Sequence, residues 1–174
     1  MIFHLILVYL LISFVHVESK CIKDVDRYID GTCFTFFNIP LNFTAAQEYC
    51  QHDTRLSAWS ILAKVESNIQ ANWLAKIATT EFGMNSGYFW IGAYRETTYD
   101  NFKTMDGFYL RYQNFATMNP SMNFVAARTS DGKWYTLPEE RKLPFVCSYN
   151  PTNVVQTAAS APTVFKSLKE LFYL

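Results

Sequence analysis

A net charge of either sign is missing from this 174-residue chain: 15 Lys and Arg balance 15 Asp and Glu. Without a basic field nothing holds the phosphates of a nucleic acid, so nucleic acid is excluded as a partner. Histidine is scarce as well. Of three, His4 and His16 fall in the apolar leader, which leaves His52 alone for any triad or metal centre. No Cys-x-x-Cys spacing, nucleophile elbow, phosphate-cradling glycine loop or metal-binding histidine pair occurs, so zinc, acyl-transfer and nucleotide chemistry lack their parts. The carboxylates Glu96, Asp100, Asp106, Glu139 and Glu140 are ordinary surface charges, and an enzyme is not expected. Asp24, Asp26 and Asp30 miss the spacing of an EF-hand, whose third ligand and glycine would fall at Tyr28 and Ile29. A solvated hairpin is expected there instead.

A membrane-spanning run is also lacking. Residues 1–17 are apolar apart from His4, Ser13 and His16, yet the stretch is shorter than the about 20 residues that cross a bilayer. It ends at Val17-Glu18-Ser19, with small residues where a signal peptidase reads. Residues 1–19 are therefore expected to be a removed signal peptide, and the protein to be secreted and extracellular. In that compartment four cysteines, an even number, read as two disulfides rather than metal ligands. Half the residues are hydrophobic and 17% aromatic, enough for one buried core in a chain of this length.

Elements follow from the spacing. Ile29-Asp30-Gly31-Thr32 carries an Asp-Gly turn ahead of the aromatic run Cys33-Phe34-Thr35-Phe36-Phe37, which predicts a hairpin. Asn42 and Thr44 are both suited to cap a helix through Cys50, with Phe43, Ala46 and Cys50 on one face. Val65, Ile69, Trp73 and Ile77, at intervals of four, predict the core face of a second helix, with Glu66, Asn68, Gln70 and Lys76 elsewhere on its wheel. From Tyr88 onward short apolar runs alternate with Asp106-Gly107 and Asp131-Gly132 turns, as strands and long loops require. Helices first and strands afterwards give an α+β domain over residues 20–149, with helices on antiparallel sheet. Residues 150–174 read as a linker and short tail, whose Phe165, Leu168, Leu171 and Phe172 could form one helical face. Lys166 and Lys169 in that segment argue against a stable membrane anchor.

Four motifs occur in a fixed order: Phe43-x-x-Ala46-x-x-x-Cys50, Trp90-Ile91-Gly92, Asp131-Gly132-Lys133-Trp134 and Leu143-Pro144-Phe145-Val146-Cys147. Together they resemble the C-type lectin-like family in its long form, over residues 21–149. The resemblance implies disulfides Cys21–Cys33 and Cys50–Cys147. It also implies that Trp90 fills the core, that Gly92 permits a close backbone approach, and that Trp134 starts the strand beside the ligand loop. A third disulfide of the family would fall at Phe124 and Glu139, and both of its cysteines are absent. At the family's calcium and sugar site the match is Asn119-Pro120-Ser121, with the proline expected in cis, together with Tyr135-Thr136 where sugar-binding members place Asn-Asp. Calcium wants six to eight oxygen ligands, several of them charged, so no calcium cofactor is expected at this site. Asn119, Ser121, Asn123, Tyr135 and Thr136 remain the candidate ligand-binding residues, with Tyr94, Tyr99, Phe102 and Tyr109 as aromatic companions that otherwise pack the loop. Asn42-Phe43-Thr44 is the lone N-glycosylation sequon, because Asn119 and Asn150 are each followed by proline. The expected function is calcium-free carbohydrate recognition, with defence or other extracellular recognition as its setting. A protein-recognition module or an assembly protein is the alternative.

Overall fold

The computed structural model describes residues 21–52, 59–85 and 87–151. The expected signal peptide and the apolar face of the tail lie outside the described residues.

The Asp-Gly turn forms as the sequence requires. Asp30 (φ 48°) and Gly31 (φ 85°) both take the left-handed conformation, joining β1 (Arg27–Ile29) to β2 (Thr32–Leu41) in antiparallel register. The side-chain amide of Asn42 settles the choice of cap for α1 (Phe43–His52): its Oδ1 accepts from the Ala45 N–H at 2.8 Å. The Thr44 hydroxyl instead donates to the Glu139 carboxylate. Phe43, Ala46 and Cys50 are buried, as their spacing predicts.

β3 (Ile61–Leu62) leads to α2 (Asn68–Thr80), and here the predicted face is wrong. Val65 is buried ahead of the helix and Ile77 within it, but Ile69 and Trp73 are 56% and 48% exposed. The core face is Ala71, Leu74, Ala75, Ile77 and Ala78, together with Gln70. A strict interval of four advances about 40° per step past a whole turn, so a series of four residues walks off its own face. Gln70 goes inside because its amide is used: Oε1 accepts from the Glu66 N–H at 2.7 Å, while Ser67 Oγ caps the Gln70 N–H at 3.2 Å. The Ser67-x-x-Gln70 spacing is that of a capping box, shifted by one donor.

The remaining strands are β4 (Tyr88–Tyr94), β5 (Lys103–Thr104), β6 (Phe115–Thr117), β7 (Phe124–Arg128), β8 (Trp134–Leu137) and β9 (Leu143–Tyr149). They join one sheet in the order β1-β2-β9-β4-β7-β8-β6, with β3 on β9 and β5 on β4. This sheet is mixed rather than wholly antiparallel, since β4–β9 and β6–β8 pair in parallel. Strand alternation splits the core in two. Phe34, Phe89, Ile91, Val125 and Val146 meet α2 on one face. Trp90, Ala126, Phe145 and Cys147 meet α1 on the other.

Both implied disulfides are present. Cys21–Cys33 pins the entering chain to β2, and Cys50–Cys147 ties α1 to β9 across 97 residues, a closure worth roughly 4–5 kcal/mol in the chain-entropy account. The positions of the family's third disulfide hold other contacts. The Phe124 ring packs on Phe43 at 4.7 Å, and the Glu139 carbonyl accepts from the Phe43 N–H at 3.2 Å. The hairpin carboxylates are not all solvated: Asp26 is buried, accepting from Thr35 Oγ1 at 2.8 Å and from the Tyr149 hydroxyl at 2.6 Å. Burial, then that bond to Asp26, push the Tyr149 phenol well above its ordinary range.

Candidate functional site

β4 delivers the loop that the candidate residues surround. Trp90 is fully buried and its Nε1–H donates to the Leu41 carbonyl at 3.0 Å. At Gly92 a Cβ would lie 2.1 Å from the Leu62 carbonyl oxygen, so only glycine lets β4 run against β3. Past Tyr94 the chain runs out through a long excursion that contains β5 and β6 before β7, and the Arg95 N–H donates to the Asn123 carbonyl at 3.0 Å and closes the neck of this loop.

Arg95 is buried, and its guanidinium fills the loop. Nε donates to Asn123 Oδ1 at 3.2 Å, and Nη1 to the Thr98 carbonyl at 2.9 Å. Nη2 reaches the carbonyls of Asn119, Pro120 and Met122 at 3.4, 2.8 and 3.0 Å. The Phe102 ring lies 4.9 Å from the charge. One planar cation thus gathers oxygens from both sides of the loop, a task suited to a guanidinium's fixed fork of donors. Nothing in the spacing of the candidate residues pointed to Arg95. The one available signal was a charged residue placed directly after the buried Trp90–Tyr94 strand.

The candidate residues do come together, and most of them face inward. Thr136 is buried, with its hydroxyl accepting from the Asn119 N–H at 2.6 Å and donating to the Asn119 carbonyl at 3.2 Å. Asn123 divides its amide between Arg95 and the Glu96 carbonyl, the latter at 3.3 Å. Asn119 Oδ1 accepts from the Ser121 N–H at 2.9 Å, and both residues stay exposed. Tyr135 is half-buried between the Tyr88 ring at 5.4 Å and the Arg128 guanidinium at 5.0 Å. Arg128 is in turn paired with Asp131, whose carboxyl that bond holds below its ordinary range. Of the aromatic companions, Phe102 is buried and Tyr94 half-buried, whereas Tyr99 and Tyr109 project at 97% and 70% exposure. Asp100 folds the loop's first turn, accepting from the Thr97 hydroxyl and N–H at 2.8 Å each. The hydroxyl bond, ahead of the backbone one, lowers its pKa.

These residues do not fit a calcium ion. The Asn119–Pro120 bond is trans, and none of the matched positions offers a carboxylate. The loop carbonyls of Thr98, Asn119, Pro120 and Met122 already accept from Arg95, whose positive charge would oppose a second cation. The arrangement suits something else: a rigid rim bearing exposed Asn119, Ser121 and Tyr99.

A mixed sheet flanked by two helices, closed by a helix-to-last-strand disulfide and carrying a long tethered loop, is the C-type lectin-like architecture. Comparison with known proteins agrees: residues 39–149 match the Lectin C-type domain, and the chain belongs to the C-type lectin domain family. It is 31% identical over 161 residues to C-type lectin domain-containing protein 162 of Caenorhabditis elegans, covering 88% of this chain and 48% of that protein. The chain therefore spans about half the length of that relative. Snaclec mucrocetin subunit alpha of Protobothrops mucrosquamatus is 23% identical, with 86% of this chain and 94% of that one covered. Among solved structures, human lithostathine superposes with a TM-score of 0.65 at 20% identity, over 77% of this chain and 93% of that one. Among the described residues no helix is long and apolar enough to cross a membrane.

Proposed function

We propose that this domain is a secreted, non-catalytic recognition protein that binds carbohydrate without calcium, through the outer rim of the loop between Tyr94 and Asn123 and the adjoining end of β8. The observation that carries this reading is the Arg95 guanidinium, which holds the loop by five acceptors. A loop ordered by a side chain is preorganised at any calcium concentration, and preorganisation lowers the entropic cost of binding. Within the candidate set, Thr136 and Asn123 act as frame. Asn119, Ser121 and the edge of Tyr135 are the groups left to meet a ligand, with Tyr99 able to stack on a sugar face.

The test is a glycan array probed with the purified protein in calcium and in chelator, repeated with Ser121→Asp and Tyr99→Ser. Equal binding in both buffers, weakened by either substitution at unchanged melting temperature, supports the reading. Binding that needs calcium would overturn it. Capture of an extracellular protein in place of any glycan would assign the rim to protein recognition, for which the exposed Tyr99 and Met118 are suitable anchors.

A further inference from the structure

Two consecutive aromatic residues of the loop are exposed. Phe108 and Tyr109 are 66% and 70% exposed at a turn that is firmly built. The Thr104 N–H donates to the Phe108 carbonyl at 2.8 Å, and the Thr104 hydroxyl donates to the Asp106 carboxylate. The Gly107 N–H donates to the Thr104 carbonyl at 2.8 Å, with Gly107 at φ 86°. Below the turn the Leu110 N–H reaches the Phe102 carbonyl at 3.1 Å, and Lys103 bridges Tyr109. Neither ring projects because its backbone is loose. Two large apolar faces held in water by a rigid turn expose surface that folding alone would hide.

The opposite wall is charged and polar. Lys64, on the strand-like approach to α2, places its ammonium 3.0 Å from Asp106, 3.1 Å from Glu66 and 5.6 Å from the Phe108 ring centre. Between this wall and the turn lies a cleft of about 180 Å³, floored by Leu110 and Tyr112 and edged by Arg111. Lys64 and Glu66 also border a neighbouring hollow of about 550 Å³ that reaches Met105 and Trp59. Both hollows are lined by Lys64 and Glu66. The charges around them cancel: Lys64 and Arg111 stand against Glu66 and Asp106.

We propose that this cleft is a second binding site, separate from the loop rim, that takes a neutral oligosaccharide. The inference rests on the recognition role proposed above and assigns to it a ligand class and a place. A pyranose has one apolar face of C–H groups and a girdle of hydroxyls. Phe108 and Tyr109 offer flat surfaces for the first, and the paired Lys64, Glu66 and Asp106 offer donors and acceptors for the second. Balanced charge gives no advantage to a sulfated or carboxylated glycan. The concavity and small volume suit a ring rather than the flat face of a protein partner, which buries about 800 Å² per side.

Chitotriose, cellotriose and mannotriose serve as probes, titrated into the full protein in chelator while the ring-proton resonances of Phe108 and Tyr109 are followed. Saturable shifts of both rings with at least one trisaccharide are expected. Phe108→Ser and Tyr109→Ser should each weaken that sugar roughly ten-fold or more, about the loss of one good stacking contact. The ring shifts read the intact protein, so they decide the matter even if a turn variant folds poorly. Shifts confined to the loop rim, or binding lost in Ser121→Asp and retained in the turn variants, would overturn the cleft and leave the rim reading standing. No shift with any of the three sugars would overturn the assignment of a neutral glycan. Preferential binding of a protein partner at this turn would overturn it as well.

Discussion

Replacing Arg95 with Ala removes the one cation that ties the loop's two strands of backbone together. Five acceptors lose a bond: the carbonyls of Thr98, Asn119, Pro120 and Met122, and the side-chain oxygen of Asn123, although the Asn119 carbonyl keeps the Thr136 hydroxyl and the Met122 N–H. Hydrogen bonds to a charged group contribute about 1.5–3 kcal/mol each when counted singly, but the five share one side chain and do not add. The sum is limited further because the loop can open into water once its centre is empty, at which point its carbonyls are hydrated rather than orphaned. A global loss of about 2–4 kcal/mol is expected, the range in which one buried polar network is broken. For a domain of this size each kcal/mol moves the melting temperature by roughly 4 °C, so a fall of about 8–16 °C should appear in calorimetry. Hydrogen exchange should localise the change, with residues 96–123 losing protection while β2, β4 and β9 keep theirs. Lys at this position keeps the charge and loses the fork, so Arg95→Lys should fall between the two. Methylguanidinium added to the Ala variant should restore part of the protection. An Ala variant that melts and exchanges like the parent would refute the reasoning, since the loop would then be held by Phe102 packing and Thr136 alone.

Other expectations follow from single contacts. Gly92→Ala should abolish soluble folded protein, because the added carbon would meet the Leu62 carbonyl oxygen at 2.1 Å and its carbon at 2.7 Å, both backbone; normal yield and melting temperature would show that β3 can move aside. Asn42 caps α1 through Oδ1, whereas a glycan is carried on the amide nitrogen, so the two uses are compatible. Asn42→Asp should therefore abolish a glycosidase-sensitive gel shift at nearly constant stability, and Asn42→Ala should also cost about 1 kcal/mol. Stability should fall in acid. Asp106 sits below its ordinary pKa: burial pushes it up, but bonds from the Thr104 hydroxyl and the Lys64 ammonium outweigh that. A carboxyl lowered by folding stabilises above its unfolded pKa of about 4 and loses that contribution as pH falls through the folded value. Asp100 and Asp131 act in the same direction. A melting temperature that rises between pH 5 and pH 3 would contradict this.

Much of the scaffold is legible in the order of residues alone. The Asp30-Gly31 turn is a local matter, decided by which residues tolerate a positive φ. The α1 face of Phe43, Ala46 and Cys50 follows from helical spacing, which repeats along the chain, and the two disulfide pairings follow from the family resemblance alone. The α2 face did not follow, since apolar residues at intervals of four were taken as one stripe while the interior accepted Gln70, whose polarity is satisfied by the Glu66 backbone. Asp26 was equally hidden: its burial depends on Tyr149, 123 residues away.

The sequence by itself determined a two-disulfide α+β scaffold and the loss of carboxylates at the matched positions of the loop, for these are properties of residue type at a known place. Only the tertiary structure decided what replaced them. Arg95 finds its partners among carbonyl groups up to 27 residues distant, and every residue carries a carbonyl, so no pattern of side chains marks which ones it will meet. The same holds for the Phe108 turn and the Lys64 wall, which form a cleft only after β5 and the approach to α2 are folded together.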